Sequence, residues 1–107
     1  ERFEIMFCND MNEQQGRDFM GKLGNDQWPQ STYTETNWQF EPQESLPSTY
    51  VVCQQDNILP VSWQEKFARR FNVREILRVD AGHQVMITEP NAIAELLLAQ
   101  MMFLSGQ

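Results

Sequence analysis

The sequence predicts an α/β fold built on parallel strands. Three observations carry that prediction. Two short apolar runs of β-favouring residues, at 50–53 and 74–79, are separated by a stretch with helical spacing. A second helical pattern follows the later run, so the order is strand, helix, strand, helix. That is the order of a parallel βαβ unit, whose crossover is right-handed. Both helical patterns begin at a proline, Pro60 and Pro90, where a missing backbone N–H is no loss.

The first 46 residues differ in character from the rest. Asn9-Asp10-Met11-Asn12-Glu13 offers several helix N-caps. Phe19, Met20 and Leu23 follow at helical spacing with Gly24 just beyond, which predicts a helix over 12–23 stopped by that glycine. Residues 24–46 are rich in Gln, Ser, Thr, Glu and Pro, with Trp28, Tyr33, Trp38 and Phe40 scattered among them. A long irregular segment of this kind is expected to be a lid or linker, its aromatics packed on something.

From Pro47 the pattern is more regular. Tyr50-Val51-Val52-Cys53 reads as a buried strand and 54–59 as a loop. Trp63, Phe67, Ala68 and Phe71, three or four residues apart, predict a helix over 60–71, closed by Asn72. Residues 74–79 read as the second strand and 80–88 as a loop holding Gly82 and His83. The last helix is expected over 90–104. Ile93, Leu96, Leu97, Met101 and Leu104 share one face, and Leu98, Met102 and Phe103 widen it. A helix that apolar is normally buried on more than one side. Two parallel strands also need cover on both faces. Further strands are therefore expected, from the rest of a longer protein or from a second copy of the chain.

The composition bounds what this protein can do. At 107 residues it makes one small domain, and its net charge of −7 argues against nucleic-acid and anionic-membrane partners. The charge is lopsided: residues 1–46 hold three basic and nine acidic side chains, residues 47–107 five and six. No apolar run reaches the roughly 18 residues of a membrane helix. Glu1-Arg2-Phe3-Glu4 lacks the basic-then-apolar pattern of a secretory signal, so the chain reads as cytoplasmic, and its start without Met reads as a piece of a longer chain. Cys8 and Cys53 lie far apart and there is one histidine, a pattern that argues against a structural zinc site. Cys53 reads as a small core residue, and a disulfide between the two is disfavoured without a secretory signal.

Ligands of parallel α/β sheets bind at the carboxyl ends of the strands. Two loops leave such ends here. One holds Asp56, three residues past Cys53; the other holds His83, four past Val79. A carboxylate on one imidazole nitrogen fixes the tautomer and frees the other nitrogen to act as a base. Each residue also has a plainer reading. An Asp in an Asp-Asn loop serves as a turn or cap residue, and a histidine after glycine is often a surface loop residue.

The run Leu46-Pro47-Ser48-Thr49-Tyr50-Val51-Val52-Cys53-Gln54-Gln55-Asp56-Asn57-Ile58-Leu59-Pro60, with Gln64 beyond, resembles the acid-bearing segment of the α/β-hydrolases. It is most similar to the esterase branch containing plant methylesterases, hydroxynitrile lyases and bacterial relatives. Val79-Asp80-Ala81-Gly82-His83, followed by Glu89-Pro90, resembles the histidine segment of that branch. Phe7-Cys8-Asn9-Asp10 and Gln30-Ser31 resemble the end of its cap.

The resemblance implies the C-terminal βαβα portion of an α/β-hydrolase fold at 47–107, preceded at 1–46 by the end of a helical cap. It implies Asp56 as the triad acid, His83 as the general base, a small ester or related molecule as substrate, and no cofactor or metal. Gln84, Val85 and Met86 beside the histidine, and Trp28 from the cap side, become candidate substrate contacts. One departure is large. The glycines stand at 16, 21, 24, 82 and 106, and none forms a Gly-x-Ser-x-Gly elbow. The chain alone is therefore expected to be inert, the serine lying in a missing N-terminal part. Two further readings remain open: a non-catalytic ligand-binding relative, and an interaction module that dimerises to complete its sheet.

Overall fold

The computed structural model describes residues 1–25, 27–38 and 46–106. Phe40 and most of the segment leading to Leu46 lie outside them. Eight elements occur in the order α1 (Arg2–Phe7), α2 (Glu13–Gly21), α3 (Ser31–Thr34), β1 (Thr49–Cys53), α4 (Val61–Arg70), β2 (Glu75–Val79), α5 (Val85–Thr88) and α6 (Pro90–Ser105). Among the described residues the sheet is β1 paired in parallel with β2. This is a partial α/β fold with the expected strand–helix–strand–helix order.

The register is set so that Thr49 faces Glu75 at one end and Cys53 faces Val79 at the other. The two carboxyl ends are therefore level. The ladder runs on past the strands, since the Gln54 N–H donates to the Val79 carbonyl and the Gln55 N–H to the Ala81 carbonyl, both at 2.9 Å. Val52, Ala68, Val79, Ala81 and Val85 form the buried core, with Val51, Cys53, Ala92 and Ile93 packed around part of it.

Helix α4 is tied to the sheet by a buried polar side chain. Gln64 is 2% exposed. Its Oε1 accepts from the Cys53 N–H at 2.8 Å, and its Nε2 donates to the carbonyls of Cys53 and Leu59 at 2.9 and 2.8 Å. A buried amide survives in a core only with its partners satisfied, as here. Pro60 caps α4, and Arg69 and Arg70 in its last turn meet the negative end of the helix dipole. Asn72 then takes φ 56°, a left-handed conformation that asparagine tolerates better than most residues. Helix α6 opens on Pro90 and is clipped to the amino ends of both strands by Gln100. That side chain accepts from Thr49 Oγ1 at 2.9 Å and donates to Glu75 at 3.0 Å.

The departures from sequence expectation lie mainly in the first half and in the loops. Helix α2 ends at Gly21 with Lys22 as its cap, so Gly24 does not stop it; its start is fixed by a reciprocal capping box between Asn12 and Gln15. Helices α1 and α3 lie in stretches where no helix is expected, and α5 sits within the expected loop at 80–88. Trp28, Tyr33 and Trp38 are 73%, 76% and 70% exposed rather than packed. The apolar face of α6 is also open, with Leu97, Leu98, Met101 and Met102 all more than half exposed. No helix among the described residues is long and apolar enough to cross a membrane.

Replacing Gln64 by Ala removes its bonds to the Cys53 N–H and to the carbonyls of Cys53 and Leu59, leaving the Cys53 carbonyl the Asp56 N–H at 3.4 Å. Gln64→Ala should lower unfolding stability by roughly 2–4 kcal/mol, read from the urea midpoint at constant slope.

Candidate active site

The level carboxyl ends of β1 and β2 place the two following loops side by side. Asp56, in the first loop, divides its carboxylate between two tasks. Its Oδ1 accepts from the backbone N–H groups of Ile58 and Leu59 at 2.7 and 3.0 Å. Its Oδ2 meets Nδ1 of His83, in the second loop, at 2.8 Å. The turn-cap reading and the histidine-partner reading of Asp56 therefore both describe it, one for each oxygen. The Asp56 side chain is 5% exposed and that of His83 37%.

This geometry dictates the histidine's tautomer. An ionised carboxylate can only accept a hydrogen bond, so Nδ1 carries the proton of the neutral ring. Nε2 is then the free lone pair, and no hydrogen bond occupies it among the described residues. A half-exposed imidazole so oriented can take a proton and hold the resulting charge against the buried carboxylate.

Residues from the N-terminal segment complete the surroundings. The Phe7 ring meets the His83 ring edge-on, centroids 5.8 Å apart and planes at 71°. Phe3 and Phe19 each lie 6.0 Å from Phe7, extending an aromatic row away from the imidazole. Asn9 Nδ2 donates to the Gln55 carbonyl, and Asn57 Nδ2 donates to the Ile5 carbonyl. Asp10 Oδ2 accepts from the Gly82 N–H and from Thr88 Oγ1, each at 2.7 Å. Sequence reasoning missed these contacts. It offered Asn9 and Asp10 only as N-caps and as part of a cap resemblance, yet the helix cap is Asn12.

The other candidate residues are placed less closely. Gln84 is half-buried and its carbonyl accepts from Ile87 and Thr88, starting α5. Met86 and Trp28 are 57% and 73% exposed, and neither is joined to His83 by a ring contact or hydrogen bond among the described residues. Cys8 and Cys53 are free thiols. Burial pushes the Cys53 thiol above its ordinary range, and the charges of Asp56 and Asp10 push it the same way. Burial likewise raises Cys8, with Glu4 and Asp10 adding to it. Among the described residues no group of His, Cys, Asp and Glu could hold a metal ion.

No protein-family model matches the sequence. Relatives with curated names do. The chain is 36% identical over 55 residues to putative methylesterase 19 of Arabidopsis thaliana, a stretch covering 50% of this chain and 21% of that protein. Methylesterase 7 of the same plant matches at 36% over 55 residues, and methylesterase 10 at 33% over 49 residues, the latter covering 45% of this chain and 18% of its relative. The relationship is to esterases of the α/β-hydrolase type, and it is partial. The chain spans about a fifth of the length of the first of these relatives. No solved structure matches.

The Asp56 charge facing Cys53 can be removed by Asp56→Asn. Since that charge raises the thiol pKa, its loss should lower it and enlarge the thiolate fraction. The alkylation rate of Cys53 should then rise at about pH 8, and the midpoint of its pH–rate curve should move down. A midpoint that stays put or moves up would contradict the electrostatic contact.

Proposed function

We propose that this chain supplies the acid and the histidine of a serine carboxylic-ester hydrolase, with the nucleophile carried by polypeptide outside the 107 residues. One observation carries the reading: the 2.8 Å contact between Asp56 Oδ2 and His83 Nδ1, made by loops at the level ends of adjacent parallel strands. The partial kinship with plant methylesterases supports it. Residues 47–107 would then be the C-terminal part of the catalytic core and 1–46 the end of its cap, with Gln84, Met86 and Trp28 as candidate substrate contacts.

The chemistry follows from the histidine's orientation. As the serine oxygen attacks the ester carbonyl carbon, its proton passes to His83 Nε2. The imidazolium so formed is stabilised by the ionised Asp56 on the opposite nitrogen. Collapse of the tetrahedral adduct breaks the carbon–oxygen bond to the alcohol, which leaves with the proton held on Nε2. Water then repeats the sequence. His83 takes its proton, hydroxide adds to the acyl carbon, and the acid departs as the serine recovers its hydrogen. No metal or cofactor enters these steps. The Phe7 edge on the His83 ring and the low exposure of Asp56 keep the ion pair partly out of water, where its attraction is less screened.

In the assembled enzyme, Asp56→Asn should reduce kcat by roughly 10³–10⁴-fold, and His83→Ala by at least as much. The 107-residue chain alone should hydrolyse p-nitrophenyl acetate no faster than buffer. Fluorophosphonate labelling of protein purified from its natural source, read by intact mass, locates the nucleophile directly. Label on an associated or continuous upstream polypeptide supports the proposal. Label on a serine within the 107 residues, or undiminished turnover in the His83→Ala protein, overturns it. Turnover equal in wild type and Asp56→Asn would point instead to a non-catalytic ligand-binding relative.

A further inference from the structure

We infer that Asp10 is a positioning residue for His83, acting through the backbone of the loop that carries the imidazole. The inference rests on Asp56 and His83 forming a working pair, and it adds the group that holds the pair in place. A single oxygen of Asp10, Oδ2, accepts from the Gly82 N–H and from Thr88 Oγ1, both at 2.7 Å. Gly82 directly precedes His83, and Thr88 ends the short helix that follows it. The two bonds therefore clasp both ends of the segment bearing the imidazole. The neighbouring residue does the same for the other loop, since Asn9 Nδ2 donates to the carbonyl of Gln55, directly before Asp56. One dipeptide thus grips the residue before the acid and the residue before the base.

Two further features set this apart from an incidental surface contact. The other oxygen of Asp10, Oδ1, is buried without a hydrogen-bond partner among the described residues. An unpaired buried oxygen is unfavourable, so the side chain is held by what Oδ2 binds. The approach is also closer than a Cβ on the loop could accept with Asn9 and Asp10 where they stand. A Cβ at position 82 would lie 2.6 Å from Asp10 Oδ1 and 2.8 Å from Asn9 Oδ1. The Asn9 and Asp10 side chains therefore lie directly against the backbone at Gly82, and a side chain at that position would have to displace their oxygens.

The test follows the His83 ring by ¹⁵N and ¹H NMR in the full chain, comparing wild type with Asp10→Ala, Asp10→Asn, Thr88→Val and Asp56→Asn. In wild type the Nδ1–H tautomer should dominate, with a downfield Nδ1–H proton that disappears in Asp56→Asn. Asp10→Ala should abolish that proton signal and make Nε2–H the major tautomer while the circular dichroism of the fold is retained. Asp10→Asn, which keeps an acceptor oxygen for both donors, should restore the wild-type ring. Thr88→Val, which removes one of the two donors, should weaken the signal without loss of fold. Should Asp10→Ala not fold, Thr88→Val decides. Ring signals unchanged in Asp10→Ala or Thr88→Val, yet altered in Asp56→Asn, overturn the role given to Asp10 and leave the pair intact. Ring signals unchanged in Asp56→Asn remove the pair itself, and this inference with it.

Discussion

The site depends on the parallel register of β1 on β2. Because Cys53 is level with Val79, both chains leave the sheet at the same height and in the same direction. The ladder continues for two more rungs through Gln54 and Gln55, so the loops travel together before they part. Asp56 and His83 then need only reach across one inter-strand gap. A slip of one residue would turn every side chain of a strand to the opposite face. It would also break the Gln64 contacts with Cys53, which lock helix α4 to the last residue of β1. Register, crossover helix and candidate pair are thus one constraint seen from three sides.

The polar contacts around the pair fit their degree of burial. Asp56 is nearly inaccessible, and a buried carboxylate is tolerable only when its lone pairs are used. Two backbone N–H groups and an imidazole use them. The same negative charge makes its neighbourhood hostile to other anions. Besides burial, it raises the thiol of Cys53, and after burial and Cys53 it is a further cause of the raised phenol of Tyr50. The Cys53 thiol and the Tyr50 phenol beside Asp56 are thereby biased toward their neutral forms. Nucleophilic use of Cys53 is disfavoured by the same electrostatics.

Much of the C-terminal half was legible in the sequence because its signals are local. The β-favouring runs and the helical spacing after Pro60 and Pro90 each occupy a few adjacent residues, and the elements fall within a residue or so of the expected bounds; Asp56 and His83 were legible because each follows such a strand directly. The first half was less legible. Helix α1 is six residues, too short for its Phe3, Met6 and Phe7 spacing to stand out, and α3 is a single turn. The grip of Asp10 on Gly82 and Thr88 spans 72 and 78 residues of chain, and nothing in the composition around Asp10 marks it. One signal could have been weighed more heavily: a glycine directly before a candidate catalytic histidine invites the question of what approaches so closely that no Cβ fits. The exposed Trp28, Tyr33 and Trp38 show the opposite failure. Aromatic composition predicts a wish for burial, but not that this chain supplies the covering surface.

What the chain covers and what it leaves open follow different rules. Around Asp56 and His83, the contacts that set geometry are polar and lie within the chain: Gln64 below, the continued ladder beside, Asn9 and Asp10 above. Away from them, apolar surface is exposed on α4 at Trp63 and Phe67, beside a groove of about 280 Å³ against β1, and along α6 from Leu97 to Leu104. Directional bonds are specific to partners already present, whereas apolar area is indifferent to which surface covers it. A pair of side chains can therefore be held together by local polar clasps even where the sheet has two strands among the described residues. Under the proposed function, the serine-bearing polypeptide has a docking task and not an assembly task. It would cover apolar faces and bring one hydroxyl to Nε2, meeting an acid and a base whose relative position this chain already sets.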